Sequence, residues 1–178
     1  MTTLGGVGAV TTPQLVDVID TISGVRSYSS GGSRTLSSCY AERWGLRIEH
    51  PTPEDPFSDS EITWLMPELG LRLTNHRARS RHSRSGPSIL SAVRVERDHR
   101  HWQTTDLLLG LAVPGGATPR IVRSEDFAAA VAGRVLRPGD ADQALRTVHR
   151  ALEELSNVNH NLMSWLTWHG IYDSWPSL

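Results

Sequence analysis

One carboxylate stands alone in a long stretch of otherwise uncharged residues, and this is the arrangement that most directly suggests chemistry. Segment 101–110 reads HWQTTDLLLG and places Asp106 among apolar and hydroxyl side chains. A buried charge is costly unless a partner or a ligand compensates it. Asp106 is therefore predicted either to act as an acid, base or metal ligand in a pocket, or to pair with an arginine such as Arg94 on the neighbouring strand.

The other polar clusters give weaker signals. Acidic pairs at 125–126 and 140–142 suit a hard cation, but acidic residues also open helices for capping reasons. The histidines show no zinc spacing, and no GxSxG, Walker, HExxH or GxGxxG pattern occurs. An arginine-rich segment, predicted to be an exposed loop, lacks the aromatic residues that stack bases, so we expect no nucleic-acid partner. Its arginines are Arg77, Arg79, Arg81 and Arg84.

Length and composition favour one domain, 1–178, with a single core. The chain has a formal net charge of −1, so no global positive field points to nucleic acid. Its one cysteine, Cys39, cannot form an internal disulfide, which indicates a reducing compartment. No apolar run approaches the ~20 residues that span a bilayer, so we expect a cytoplasmic protein with no membrane partner.

Residues 1–40 are predicted to form a helix followed by a flexible connection. Thr12 and Pro13 suit a helix start. Four apolar residues then share one helical face: Leu15, Val18, Ile19 and Ile22. Segment 26–38 is rich in serine and glycine and offers few apolar groups to offset the entropy of ordering. We expect this region to gate access to the site.

Residues 41–123 show the alternation typical of strands, and residues 124–178 show helical spacing. Strands are predicted at 44–49, 61–66, 70–75, 88–96 and 101–113, with turns at 67–69 and 97–100 that make two antiparallel hairpins. Helices are predicted from Ser124 to Gly133 and over 141–155, and the aromatic tail is expected to pack. The sequence therefore predicts an α+β fold, an antiparallel β-barrel-like sheet closed by C-terminal helices.

Three segments carry a resemblance to a known family: PSILSAVRVERDHRHWQTTDLLLGLAV, RIVRSEDFAAAVAGRVL and ADQALRTVHRALEEL. Their order and spacing over 87–156 resemble the small-barrel phosphohydrolases that include nucleoside tri- and diphosphatases and the cytidylyl-ester hydrolase of fosfomycin biosynthesis. The resemblance implies a Tyr-x-Asp strand, an Asp-x-x-x-Asp strand and an Asp-rich helix start that bind divalent cations around a phosphate.

This chain departs from that pattern at most of the implied ligands. Ile89 and Ser91 stand where the first motif has Tyr and Asp, Gly110 replaces a carboxylate, and Arg123 stands near another. The resemblance leaves three candidate ligands for Mg²⁺ or Mn²⁺: Asp106, Glu125 and Asp126. A cation pair on a phosphate needs several converging carboxylates. The substitutions are expected to make the barrel interior more apolar.

The sequence thus supports three hypotheses. The first is a metal-independent, cofactor-free enzyme of natural-product metabolism, which binds an apolar small-molecule substrate in the barrel and promotes a cyclisation, cycloaddition or isomerisation, with Asp106 as the catalytic group. The predicted substrate-binding residues are Trp64, Met66, Ile89, Ser91, Trp102, Leu108 and Gly110. The second is a divalent-metal phosphohydrolase acting on a nucleotide or phosphate ester. The third is a non-catalytic small-molecule-binding protein, and a homodimer is an open expectation for all three.

Overall fold

The structure is a computed structural model that describes residues 16–80 and 86–172. Within these residues the chain forms ten strands, three α-helices and one short 3₁₀ helix, Pro67–Leu69. The strands are β1 Val16–Asp20, β2 Val25–Tyr28, β3 Ser33–Thr35, β4 Ser38–Glu42, β5 Gly45–Pro51, β6 Ser58–Met66, β7 Leu71–Ala78, β8 Ser88–Arg97, β9 His101–Val113 and β10 Arg120–Val122. The helices are α1 Ser124–Ala132, α2 Pro138–Asn157 and α3 Leu162–Trp168.

All ten strands belong to one antiparallel sheet. Its order is β3-β2-β1-β9-β8-β7-β6-β5-β4, and β10 pairs with β9. The predicted α+β class and both predicted hairpins, β6–β7 and β8–β9, are confirmed. Among the described strands no ladder joins β3 to β4, so the sheet is not closed. The predicted barrel-like sheet is therefore correct in that the sheet is curved, but the sheet does not close into a barrel.

The predicted N-terminal helix is wrong over its described part. Val16–Asp20 forms β1, which pairs with β9 and β2, while Thr12, Pro13 and Leu15 lie outside the described residues. The apolar residues fit helical spacing, but Val18 and Ile19 are β-branched and favour a strand. The two neighbouring strands then supply the backbone hydrogen bonds that decide the conformation.

The serine- and glycine-rich connection is also ordered, against the prediction of a flexible segment. Most of 25–42 forms β2, β3 and β4. Backbone pairing satisfies the polar main chain here, and Arg26 is buried, with 5% of its surface exposed. A buried arginine in ion pairs anchors β2 in a way that composition does not reveal.

Side chains alternate between two faces of the sheet, and each face has its own apolar cluster. Trp64 and Met66 on β6 pack in the larger cluster with residues of the helices, such as Val148 and Trp165. Leu65, between them, belongs to a smaller cluster on the other face: Ile19, Leu46, Ile48, Leu65 and Trp102. The amphipathic pattern of α2 thus covers the sheet as predicted.

The tail packs in part. In α3, Trp165 is buried and its indole Nε1 donates to Glu154 at 2.9 Å, whereas Trp168 and Tyr172 are exposed. Trp175 lies outside the described residues. None of the helices in the described ranges is both long and apolar enough to span a membrane.

The sheet curls until strands that are distant in its order touch. β2 and β6 lie five places apart in the strand order, which is about 24 Å in a flat sheet. Yet Nη1 of Arg26 on β2 lies 3.2 Å from Oε1 of Glu61 on β6. We define the inner face as the face that carries these two side chains. The curl encloses a polar space on this face.

Candidate functional site

A chain of alternating carboxylates and guanidinium groups crosses the inner face. Its members, in spatial order, are Glu61, Arg26, Asp17, Arg72, Asp106 and Arg123. The successive nitrogen–oxygen distances are 3.2, 2.5, 3.9, 2.6 and 2.8 Å. Three acids balance three guanidinium groups. Because most of these side chains are withdrawn from water, each charge depends on its neighbours in the chain for compensation.

Arg26 lies near one end of this ionic chain, between Glu61 and Asp17. It contacts Asp17 through Nε and Glu61 through Nη1, and its guanidinium lies 5.2 Å from the ring centroid of Tyr28. Burial by itself would lower the pKa of Arg26, but the charges of Asp17, Tyr28 and Glu61 outweigh it and raise the pKa. Arg26 thus remains charged in the interior, and its loss would leave Glu61 without its guanidinium partner and Asp17 with only Arg72, 3.9 Å away.

Asp106 lies near the other end of the ionic chain and forms ion pairs with two arginines, Arg72 and Arg123. Nη2 of Arg72 and Nη1 of Arg123 both donate to its Oδ2, at 2.6 and 2.8 Å. Its Oδ1 accepts the backbone N–H of Leu108 at 2.8 Å. The prediction that Arg94 is the partner is wrong, since Arg94 instead contacts Asp140 and Glu96. Both carboxylate oxygens of Asp106 thus accept hydrogen bonds, two at Oδ2 and one at Oδ1.

Two residues that contact Asp106 have unusual backbone conformations. Leu108, within the irregular pairing of β8 and β9, has φ 61°, and Arg123, which precedes α1, has φ 63°. Positive φ in residues other than glycine is uncommon and clusters at functional sites. The predicted cap, Ser124, is already helical, and Arg123 occupies the cap position without a side-chain cap. The helix start thereby directs the Arg123 side chain toward Asp106.

The electrostatics keep Asp106 ionised. Burial would raise its pKa, but the charges of Arg72 and Arg123 and the Leu108 hydrogen bond together lower the pKa below the ordinary value. The side chain of Arg72 is 14% exposed and its Nε atom is buried without a hydrogen-bond partner among the described residues. This end of the ionic chain thus retains an unused N–H donor.

The predicted substrate-binding residues lie in different places. Trp64, Met66 and Leu108 pack in the cluster beneath the helices, and Trp102 packs in the smaller cluster of the inner face. Ser91 and Gly110 are paired across β8 and β9, and Ile89 lies two residues before Ser91 on the same strand face. Ser91 is buried and Ile89 is half-buried. The structure therefore separates Trp102 from Trp64, Met66 and Leu108, and it surrounds Asp106 with charge.

A second polar cluster, which the sequence did not predict, occupies one row of the inner face. His50, Glu61 and His76 are direct cross-strand neighbours on β5, β6 and β7. A cavity of about 550 Å³ opens beside this row. Its lining residues are Tyr28, Gly31, Gly32, Ser33, Arg34, His50, Thr52, Glu54 and Glu61. The predicted strand 44–49 stops one residue short of His50; its alternation, extended by one residue, places His50 on the face of Ile48.

Comparisons with known proteins locate the fold. No family model and no curated protein matches the chain. A crystal structure of a DUF402 protein of unknown function from Rhodococcus sp. RHA1 is 24% identical, with a TM-score of 0.85 over 93% of this chain and 99% of that one. FomD, solved in complex with CDP, is 14% identical, with a TM-score of 0.60 over 82% and 84%.

The phosphatase SC4828, solved with the non-hydrolyzable nucleotide GPCP, is 11% identical, with a TM-score of 0.60 over 93% of this chain and 91% of that one. Identities this low establish the fold alone. The chain therefore has a fold also found in a phosphatase and in the CDP-bound FomD. It also shares that fold, at the higher TM-score of 0.85, with the DUF402 protein of unknown function.

The residues do not fit the divalent cation that the resemblance implies. Asp106 has its Oδ2 atom taken by two guanidinium groups, which leaves one acceptor position, on Oδ1. Glu125 is exposed, and Asp126 is 66% exposed and lies 3.7 Å from Nε of Arg123. Across residues 16–80 and 86–172, no three His, Cys, Asp or Glu side chains converge as metal ligands do. A hard cation needs several oxygen ligands. Two guanidinium groups occupy the positions around Asp106 where further acids would have to be.

Gly110→Asp, which restores an acid implied by the resemblance, is expected to destabilise the protein and to create no metal site. A Cβ atom at Gly110 would lie 2.5 Å from the carbonyl oxygen of Leu90 and 3.2 Å from Cα of Ser91. Such overpacking costs about 1–3 kcal/mol. Urea denaturation measures the loss, with Gly115→Asp, where a Cβ meets nothing within 4 Å, as the matched control. An unchanged free energy of unfolding together with Mn²⁺ binding would contradict this prediction.

Acid is expected to destabilise the fold, beginning just below neutral pH. Burial lowers the pKa of His50, an effect that Arg26, Arg34 and His76 reinforce and Glu61 opposes. The unfolded chain then binds a proton before the folded one does. The contribution of neutral His50 is complete above the unfolded pKa of about 6.5 and is lost as the pH falls toward its lower folded value.

The inner-face acids extend this loss to lower pH. Burial raises the pKa of Glu61, but Arg26, His50 and His76 together lower it by more than burial raises it. The pKa of Glu61 therefore lies below its ordinary value, as does the pKa of Asp106. Their contribution is complete above the unfolded values of about 4 and is lost below them. Tm measured from pH 8 to pH 3 should fall twice, first below about pH 6.5 and again below about pH 4. His50→Gln should remove the first of these two decreases. A Tm that is flat from pH 7 to pH 5 would refute the assignment.

Proposed function

We propose that this protein binds a phosphate ester or nucleotide on its inner face without a metal ion, using Arg72 and Arg123 as the cationic groups. The observation that carries the proposal is the clasp of Asp106 by two guanidinium groups at 2.6 and 2.8 Å. Guanidinium forks recognise phosphate as they recognise carboxylate, with charge-assisted hydrogen bonds. The shared fold with a CDP-bound and a GPCP-bound protein supports the same ligand class.

The two arginines have more donors than Asp106 can use. Each guanidinium carries five N–H groups, and both approach the same oxygen of Asp106. Nε of Arg72 has no partner among the described atoms. A phosphate oxygen can accept from these remaining donors, and a phosphate carries more negative charge than the carboxylate with which it competes. Asp106 then acts as an internal anion that holds the arginines in place before the ligand arrives.

Hydrolysis is not part of the proposal. A general base needs a lone pair basic enough to take a proton from water. Both oxygens of Asp106 already accept hydrogen bonds, and the two arginines lower its pKa and hence its basicity. Cyclisation of an apolar substrate gains no support from these contacts, because charged side chains dominate the surroundings of Asp106. The geometry thus favours binding over turnover.

The experiment is a calorimetric titration of EDTA-treated protein with pyrophosphate and CDP. Binding should survive EDTA, and Arg123→Gln should weaken it at least about tenfold, since a hydrogen bond to a charged group contributes about 1.5–3 kcal/mol. Arg120→Gln, at an exposed arginine nearby in sequence, serves as the matched control. Binding that requires Mn²⁺, release of inorganic phosphate from CDP, or equal affinity in Arg123→Gln would overturn the proposal.

A further inference from the structure

The cavity of about 550 Å³ lies between two hairpins, because the curl of the sheet brings β2 against β6. The first wall comes from the β2–β3 hairpin, where Tyr28 and residues 31–34 line the cavity. The second wall comes from the β5–β6 hairpin, and its lining residues are His50, Thr52, Glu54 and Glu61. Neither wall contains Arg72 or Arg123, so the cavity is separate from the proposed phosphate contacts.

The first wall carries an uncompensated positive charge. Arg34, on the edge strand β3, lies directly opposite Arg26 on β2, and like charges in this arrangement are destabilising. Arg26 has Asp17 and Glu61 as partners, whereas Arg34 makes no hydrogen bond and no ion pair within the described chain. Its guanidinium, which only donates hydrogen bonds, is therefore available to an anionic group in the cavity.

The second wall carries negative charge. Glu61 uses only Oε1, which accepts from Arg26 and from the hydroxyl of Thr63, both at 3.2 Å. Its Oε2 receives no hydrogen bond from the described part of the chain. Burial would raise the pKa of Glu61, but the neighbouring charges, led by Arg26, lower it by more, so Glu61 is ionised at neutral pH. The exposed Glu54 adds a second carboxylate to this wall.

His50 adds a polar atom to the second wall without changing its charge. The residue is 2% exposed, and its Nδ1 is occluded and has no partner, so only Nε2 can reach the cavity. Burial lowers the pKa of His50, which keeps the ring neutral at neutral pH. No ion pair joins Arg34 to Glu54 or Glu61 in the structure. Opposite charges therefore stand on the two walls with open space between them.

A ligand with one charge satisfies only one wall. An anion meets the carboxylates of Glu54 and Glu61, a cation meets Arg34, and an uncharged ligand leaves both walls without partners. We infer that this cavity binds a small zwitterion of the amino-acid class, whose carboxylate accepts from Arg34 and whose ammonium donates to Oε2 of Glu61. The cavity volume lies within the range of small-molecule sites. This inference goes beyond the proposed function and does not depend on it.

The test uses probes that vary the separation of the two charges. Glycine, β-alanine, γ-aminobutyrate and ε-aminocaproate carry an ammonium and a carboxylate at increasing distance, whereas propylamine and butyrate carry one charge each. Calorimetric titration of the full-length protein should show binding that is tightest at one member of the series. Propylamine and butyrate should each bind at least about tenfold more weakly than that member, because each lacks one charged hydrogen bond.

Two variants assign the charges to their walls. Arg34→Gln, at an exposed residue, should weaken amino-acid binding at least about tenfold and should not weaken propylamine binding. Glu61→Gln should weaken amino-acid and propylamine binding by a similar factor and should not weaken butyrate binding. Arg146→Gln and Glu96→Gln, whose side chains are 80% and 62% exposed outside the cavity, are the matched controls. Circular dichroism verifies that each variant is folded.

The outcomes separate this inference from the proposed function. Single-charge probes that bind as tightly as the best amino acid, equal affinity in the wild type and Arg34→Gln, or no binding of any of the four amino acids would overturn the inference. Each of these results is compatible with pyrophosphate binding that depends on Arg123. Conversely, amino-acid binding that Arg34→Gln weakens and Arg123→Gln leaves unchanged would support the inference even if pyrophosphate does not bind.

Discussion

Arg26→Ala is expected to lower the free energy of unfolding by about 3–5 kcal/mol, the usual cost of breaking a buried ion pair from one side. The substitution leaves Asp17, 6% exposed, and the mostly buried Glu61 without their shared cation. It also removes the contact that ties β2 to β6 across the curl of the sheet. Chemical denaturation in urea at pH 7, followed by circular dichroism, measures the loss.

Two comparisons identify the cause of that loss. Arg26→Lys retains the charge but not the fork that contacts Asp17 through Nε and Glu61 through Nη1, so it should recover less than half of the stability. Arg146→Ala removes an arginine whose side chain is 80% exposed and which pairs with Asp142 along α2; it should cost under about 0.5 kcal/mol. Equal losses in Arg26→Ala and Arg146→Ala would refute a structural role for the ionic chain.

Asp106→Ala is expected to cost about 3 kcal/mol, at the lower end of the range for buried pairs because the side chain of Arg123 is 36% exposed. The change removes the shared anion of Arg72 and Arg123 and also the acceptor for the Leu108 N–H. Leu108 and Arg123 then keep their positive φ angles without the contact that stabilises them. Urea denaturation again measures the loss.

A ligand should repair this defect. Pyrophosphate that occupies the vacated position stabilises the folded state in proportion to its occupancy, so it should raise the Tm of Asp106→Ala by more than that of the wild type. Asp142→Ala, at an exposed carboxylate in α2, should show neither the loss nor the repair. A Tm of Asp106→Ala that does not respond to pyrophosphate would contradict the role of Arg72 and Arg123 as phosphate ligands.

The alternation of apolar residues predicts which side chains share a face, but not which face the helices cover. Trp64 and Met66 do lie together, as their spacing indicates, yet they pack beneath the helices and not toward Asp106. The choice between faces depends on where α1 and α2 pack, which no local pattern in the strands encodes. We predicted an apolar barrel interior, and the inner face is instead charged, because the alternation does not tell which face the helices cover.

The sequence alone predicted one residue of the site, Asp106, but not the arginines that pair with it. Asp106 stands out because it is a single charge in an uncharged strand, whereas Arg72 and Arg123 come from other elements and meet it only in the folded sheet. The buried ion pairs of Arg26 were harder still to predict, because Arg26 lies in a segment whose serine and glycine content predicts flexibility. Long-range strand pairing and ion pairs ordered this segment, and neither appears in composition.

The central claim is that guanidinium groups, held by Asp106, bind the phosphate in place of a metal ion. The most direct measurement is the affinity of metal-stripped wild-type protein and Asp106→Asn for pyrophosphate, by calorimetry. Asp106→Asn retains an oxygen for the Leu108 N–H but releases both arginines from the competing charge, so it should bind pyrophosphate about tenfold more tightly or better. Loss of pyrophosphate binding in Asp106→Asn, with Mn²⁺ binding in the wild type that depends on Asp106, would contradict the claim.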